Sequence, residues 1–197
     1  METKILSMFN SHKKWIDTLG QEGEVLSLDE VDLRNLDLSN VLLDQAYLID
    51  CIFDDLTLEN IDFHTSLLAS STFKNAHLDK CDFYKSDLRY TDFTGCVITN
   101  SRFSKSDCWE AIFKNAYFSD CNLINASFYS TDFSYAILEN IDISMSTFTE
   151  TLLSGVTLKN ITGIEEAFVK SINIGTLEEP IWLETKEAKE WLLKSAM

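Results

Sequence analysis

Cys81-Asp82-Phe83-Tyr84-Lys85-Ser86-Asp87-Leu88-Arg89-Tyr90-Thr91-Asp92-Phe93-Thr94-Gly95 repeats itself every five residues: a small residue, Asp, Phe or Leu, then two freer positions. Counted in fives from Phe83 in both directions, the central position stays apolar from Leu28 to Leu158, 27 positions without an insertion. It holds Leu, Phe or Ile everywhere except Cys108. A period of five matches neither the 3.6 of a helix nor the 2 of a strand, so neither element explains the run. A repeat architecture explains it.

Two residues before the centres the side chains are mostly small, among them Ala46, Cys51, Ser66, Ser71, Ala76, Cys81, Ser86, Thr91, Cys96, Ser101, Ala111, Cys121 and Ala136. Two of the five columns are therefore expected to point inward. Two residues after the centres the chain favours Asn and Gly, at Asn35, Asn40, Asn60, Asn75, Gly95, Asn100, Asn115, Asn125, Asn140, Gly155 and Asn160. These residue types tolerate turn and left-handed dihedrals, so a turn is expected every five residues.

This pattern resembles the pentapeptide-repeat proteins, whose unit is a small residue, Asp or Asn, Leu or Phe, and two variable residues. Cys81-Asp82-Phe83, Thr91-Asp92-Phe93, Cys121-Asn122-Leu123 and Thr131-Asp132-Phe133 match it literally. The resemblance implies an all-β fold, a right-handed quadrilateral parallel β-helix with four pentapeptides to a coil. The residues offer their own check. Every fourth centre puts Leu33, Phe53, Phe73, Phe93, Phe113, Phe133 and Leu153 in one column and Leu43, Phe63, Phe83, Phe103, Leu123 and Ile143 in the opposite one. The two columns between them are largely Leu. About seven coils at ~4.8 Å each would form a rod roughly 30 Å long, whose interior no single coil can bury alone.

Outside the repeat the chain supplies ends. Ile5, Met8, Phe9, His12, Ile16 and Leu19 recur at helical spacing before Gly20, which predicts a short amphipathic helix over the first coil. After Leu158 the register is lost at Gly163; a helical turn over 164–170, a strand-like segment at 172–174 and a last helix capped by Thr185 are expected, with Ala188, Trp191 and Leu192 as its buried stripe. The organisation read from the sequence is a helical cap over 1–25, the β-helix over 26–162 and a C-terminal cap with a final helix over 163–197. Open solenoid ends expose apolar surface and unpaired backbone, which is why caps are expected. The chain has no charged start leading into an apolar core and no run of 18 apolar residues, so the reading is a soluble cytoplasmic protein without a membrane partner.

Chemistry-bearing motifs are few. The five cysteines form no CxxC pair and fall in the inward columns, so they read as buried reduced thiols. His12, His64 and His77 make no metal motif, and no metal or other cofactor is expected. Stacking sets Asp62 over Asp82 and Asp87 over Asp107, but no nucleophile or Gly-rich loop accompanies these carboxylates. A rod filled by its own side chains leaves no substrate cavity, so no catalytic residue and no enzyme is expected.

Charge carries the functional signal. Sixteen basic and 32 acidic residues give a net charge of −16, which argues against direct nucleic-acid binding. Residues 26–72 hold ten acids (Asp29, Glu30, Asp32, Asp37, Asp44, Asp50, Asp54, Asp55, Glu59, Asp62) against Arg34 alone, while residues 73–118 are near neutral. At ~4.8 Å per coil the first tract carries about one charge per 1.3 Å, close to the ~1.7 Å of duplex DNA. Resemblance to the gyrase-protecting members of the family implies a DNA mimic acting on a type II topoisomerase, DNA gyrase, and on quinolone susceptibility. It also implies a homodimer through the C-terminal segment, with Trp182, Trp191 and Leu192 as contacts. The other reading is a protein-interaction module of unknown partner. Outward columns of one face gather Tyr47, Ile49, Leu67, Ala69, Arg89, Tyr90, Trp109 and Tyr129, and aromatics with Arg are what interface centres favour.

Overall fold

A chain that buries every fifth side chain has to turn at every fifth residue. In the computed structural model, which describes residues 2–196, every fifth residue from Asn40 to Asn160 has a left-handed φ between 50° and 71°. At many corners the amide three residues after the centre donates to the centre's carbonyl, as from Ser71 to Leu68 (3.0 Å) and Ala116 to Phe113 (3.0 Å). A positive φ at the third residue of such a turn makes it type II. Ten of the eleven Asn and Gly residues expected at these corners occupy that conformation, and Asn35 in the first coil does not.

Between corners the chain runs straight for three residues and pairs in parallel with the coil before, 20 residues away. Leu58, Leu78, Ile98, Phe118, Leu138 and Leu158 stack in this register along one face. The result is a right-handed, four-sided parallel β-helix of about seven coils; its faces are named here by their first centres, Leu28, Leu33, Leu38 and Leu43. Opposite Phe columns meet in the interior. Phe53, Phe73, Phe93, Phe113 and Phe133 stack with centroids 4.5 to 5.0 Å apart, while Phe63, Phe83 and Phe103 stack at 4.7 to 4.8 Å and meet the first column edge-on. Each such pair adds about 0.5–1.5 kcal/mol to the burial of its area.

The small column is buried as well, and its polar members are satisfied from within. The hydroxyls of Ser86, Thr91 and Thr131 donate to the carbonyls of Phe63, Leu68 and Cys108 in the coil below, at 2.7 to 3.0 Å. Among the described residues no buried side-chain nitrogen or oxygen lacks a partner. The five cysteines lie here or at the centre, all unpaired and buried, and burial pushes their thiols up to about 11 or 12.

The first coil is different. Tyr47 and Ile52 still donate to Leu26 and Val31 on the Leu28 and Leu33 faces (both 2.9 Å). Across the Leu38 and Leu43 faces the described residues hold no backbone hydrogen bond between 34–42 and 55–62. At this place the inward small column carries Leu36, Val41, Leu56 and Ile61. Leu36, Val41 and Leu56 are only partly buried, and a large residue in this column does not open the ladder everywhere: Leu26 and Val31 still accept from the next coil, and Ile141 pairs with Ile161.

Helix α1 (Glu2–Asp17) covers the first coil with Ile5, Phe9 and His12 buried. Met8 and Ile16 are only partly covered and Leu19 is 92% exposed, so the buried stripe is narrower than the spacing predicts. His12 is its anchor: Nδ1 accepts the Leu26 N–H at 3.0 Å, which leaves Nε2–H to donate to the Asp44 carbonyl at 3.0 Å. At the other end the ladder continues past Thr162. Val169 pairs with Phe148 and Ile172 with Thr151, a spacing of 21, so the last coil absorbs one extra residue in the turn that Gly163 and Ala167 close. A strand at Trp182–Glu184 then runs antiparallel to Ser171–Asn173. Helix α2 (Thr185–Ser195) lays Ala188 and Leu192 on the open end, its N-cap being Glu184 without a side-chain bond rather than Thr185.

Candidate interaction surfaces

The Asp column one residue before the centres has a structural task. Asp62, Asp82, Asp87, Asp92, Asp107, Asp132 and Asp142 each accept the N–H two residues on, at 2.7 to 3.1 Å, and so fix the chain as it enters the corner. Asp62 and Asp82 do sit side by side in the ladder, as do Asp87 and Asp107. Asp82 is also ion-paired to Arg102 and Asp87 to Arg89. These carboxylates act as caps, and Asp142 also accepts the Ser144 hydroxyl at 2.6 Å.

The acidic tract wraps the rod. Asp32 and Asp54 lie on the Leu33 face, Glu30 and Asp50 at its leading corner and Asp55 at its trailing one. Asp29 is on the adjoining edge of the Leu28 face, Asp37 and Glu59 are on the Leu38 face, and Asp44 and Asp62 are on the Leu43 face. Side-chain and backbone hydrogen bonds from Arg34 hold the Asp32 carboxyl down to about 2. Hydrogen bonds from Ser39 lower that of Asp37, and burial raises that of Asp62. The Leu33 face and its corners thus carry five of the ten acids over two coils.

The aromatic ribbon lies on the Leu28 face and separates into two patches. Tyr90, Trp109 and Tyr129 touch in sequence, with centroids 5.6 and 6.2 Å apart, and are 44%, 36% and 40% exposed. Arg89 flanks them, its guanidinium held on Asp87 through Nε and Nη2 at 2.8 and 2.6 Å. Tyr47 and Leu67 stack on the opposite edge of the same face and line a shallow hollow with Trp15. Ile49 and Ala69 are half-buried between the patches.

Sequence reasoning missed a cationic cluster on the Leu43 face. The Arg102 guanidinium lies 4.4 Å from the Tyr84 ring centre, and the Lys85 and Lys105 ammonium groups lie at 5.4 Å. The signal was the 20-residue spacing, which stacks Lys85 under Lys105. At the C-terminal end, Leu192 packs inside with Phe133, Ile143 and Leu158 and is 3% exposed, so it is not free to meet a second chain. Trp191 is half-buried and Trp182 is 49% exposed. Among the described residues no group of three or more His, Cys, Asp and Glu is placed to hold a metal, and no helix is long and apolar enough to cross a membrane.

The pentapeptide repeat region family matches residues 26–103, and the pentapeptide repeats (8 copies) family matches 101–140 and 111–149. No curated protein matches the chain. Among solved structures, full-length QnrB1, a plasmid-mediated fluoroquinolone resistance protein, superposes with a TM-score of 0.53 at 16% identity over 86% of this chain and 96% of its own. Rfr23 from the cyanobacterium Cyanothece 51142 gives 0.38 at 18% identity over 62% and 90%. A pentapeptide repeat protein of the Arabidopsis thaliana thylakoid lumen gives 0.30 at 24% identity over 60% and 69%. Identities this low speak for the fold alone. With the repeat unit, its corners and the two family matches in agreement, the chain belongs to the pentapeptide-repeat family.

Proposed function

We propose that this protein is a non-enzymatic interaction module that presents the outside of a rigid acidic rod to a protein partner, with Tyr90, Trp109 and Tyr129 at the centre of contact. The observation that carries this is a row of three rings, Trp109 touching Tyr90 on one side and Tyr129 on the other, each more than a third exposed, on a face whose backbone is paired in every coil. Clustered aromatics beside a guanidinium desolvate well at little ordering cost, because the ladder already holds them. Trp109→Ser with Tyr129→Ser should leave circular dichroism and melting unchanged and remove the partner captured by the parent protein. Undiminished capture of that partner would exclude this face.

A second reading rests on the acids of the first two coils, which surround the rod as phosphates surround a duplex. On it the protein occupies the DNA site of a type II topoisomerase, and the likeness in fold to QnrB1, a fluoroquinolone resistance protein, supports that choice of target. Supercoiling and quinolone-dependent cleavage by DNA gyrase with purified protein decide it: protection supports the reading, and no effect at micromolar concentration rejects it. The exposed side chains of Phe168, Ile181 and Trp182 are the surface a homodimer would use in place of Leu192, and light scattering across a concentration series tests that assembly.

A further inference from the structure

One rung is missing from the ladder of the Leu38 face. The amides of His77, Val97, Tyr117, Ile137 and Thr157 donate to the carbonyls of Leu56, Ala76, Cys96, Ala116 and Ala136 in the coil before, at 2.8 to 2.9 Å. Thr57, the equivalent residue one coil earlier, makes no such bond to Leu36. On the next face the amides of Asp82, Arg102 and Asn122 reach back at 3.0 Å, and Asp62 does not reach Val41. A groove of about 670 Å³ opens between the two coils, floored by Leu36, Val41, Leu56 and Leu58 and rimmed by Asp37 and Glu59.

We propose that this groove is a binding slot for an extended, basic segment of a partner protein, which adds a strand along Leu56–Asn60 and takes up the unused backbone groups of that edge. A peptide strand is the ligand whose chemistry fits. It offers alternating donors and acceptors to a strand edge, and side chains on one side to an apolar floor. Five residues of it span about 16 Å, the length of the face. The charge of the rim selects the partner. Residues 26–72 carry ten acids against Arg34, and Arg34 is already engaged by Asp32 at 2.8 Å. A second copy of this chain would bring the same acidic tract to the slot, and acids at an open edge deter such self-pairing. The slot lies apart from the Tyr90–Trp109–Tyr129 patch and does not depend on it.

The test uses the full chain and a capped seven-residue peptide of alternating valine and lysine. Two controls accompany it: the same peptide with glutamate for lysine, and the same peptide with N-methylated valine amides. Residue-resolved hydrogen exchange should show the Thr57 amide exchanging at least a hundredfold faster than His77 in the free protein, and slowed at least tenfold by the lysine peptide. Both control peptides should bind at least tenfold more weakly. Glu59→Lys should weaken the lysine peptide several-fold at unchanged melting temperature, whereas Trp109→Ser with Tyr129→Ser should not. Three results would overturn the proposal: a Thr57 amide as protected as His77 without peptide, equal binding of the methylated peptide, or Thr57 protection that rises with protein concentration alone, which would make a second copy the occupant.

Discussion

The middle coils and the first coil are built from the same five-residue unit, and only the former close on all four sides. From Phe53 to Phe133 the interior is filled by rings stacked at 4.5 to 5.0 Å, with small side chains between them. In the first coil all four centres are Leu, the small positions are Leu26, Val31, Leu36 and Val41, and the chain leaves the ladder over residues 34–42 before Gln45 rejoins it by donating to the His64 carbonyl at 2.8 Å. The difference teaches that the apolar centre does not by itself close a coil. Closure also needs successive coils to approach to hydrogen-bonding distance, which the small residues of the middle coils permit.

Substitutions should expose this contrast. Phe93 is fully buried between two stacked neighbours, and Phe93→Ala should cost about 3–5 kcal/mol, lowering the melting temperature by roughly 10 °C. Lys74→Ala, which removes one exposed ion pair to Asp92, should fall within about 0.5 kcal/mol of the parent. Leu38 is also buried, yet Leu38→Ala should cost only about 2 kcal/mol, because an unpaired coil can relax into the space. A loss at Leu38 equal to that at Phe93 in chemical unfolding would erase the distinction between the two regions.

The N-terminal cap adds a pH dependence. Burial holds the His12 imidazole below its ordinary proton affinity, and Nδ1 is occupied as an acceptor. The unfolded chain takes up a proton near pH 6.5 where the folded one does not, so stability is flat above that pH and falls as pH drops below it. Urea midpoints between pH 7.5 and 5.5 should show that slope in the parent and not in His12→Gln.

The smallest effect is a gain. Thr65 is a β-branched residue at φ 55°, and Thr65→Asn should stabilise by about 0.5 kcal/mol in urea unfolding, since Asn tolerates that region. A loss of stability there would mean that the hydroxyl bond to the His64 carbonyl outweighs the strain.

Much of this is legible in the sequence because the repeat leaves little freedom. The central column, the small column and the corners at Asn and Gly all follow from a period of five, and the 20-residue coil from the alternation of Phe and Leu columns. The slot is less legible: Leu36, Val41, Leu56 and Ile61 break the small column where the ladder opens, but Leu26 and Val31 break it where the ladder stays closed. His12 is hidden because its two partners, Leu26 N–H and the Asp44 carbonyl, are backbone groups that no side-chain pattern reports. Outward columns give adjacency along one edge of a face but not across it: Tyr47 and Leu67 lie on one edge, and the half-buried Ile49 and Ala69 precede Trp109 and Tyr129 on the other, so the sequence shows one ribbon and the structure two patches. An apolar stripe such as that of Leu192 looks the same in sequence whether it meets a second chain or, as here, closes the chain's own end.

Native-state hydrogen exchange along the Leu38 face tests the contrast most directly. The account predicts that the His77, Val97 and Tyr117 amides exchange only through global unfolding, while the Thr57 amide exchanges through local exposure at orders of magnitude higher rate. Uniform protection from Thr57 to Tyr117 would show that the first coil is closed like the rest and would contradict it.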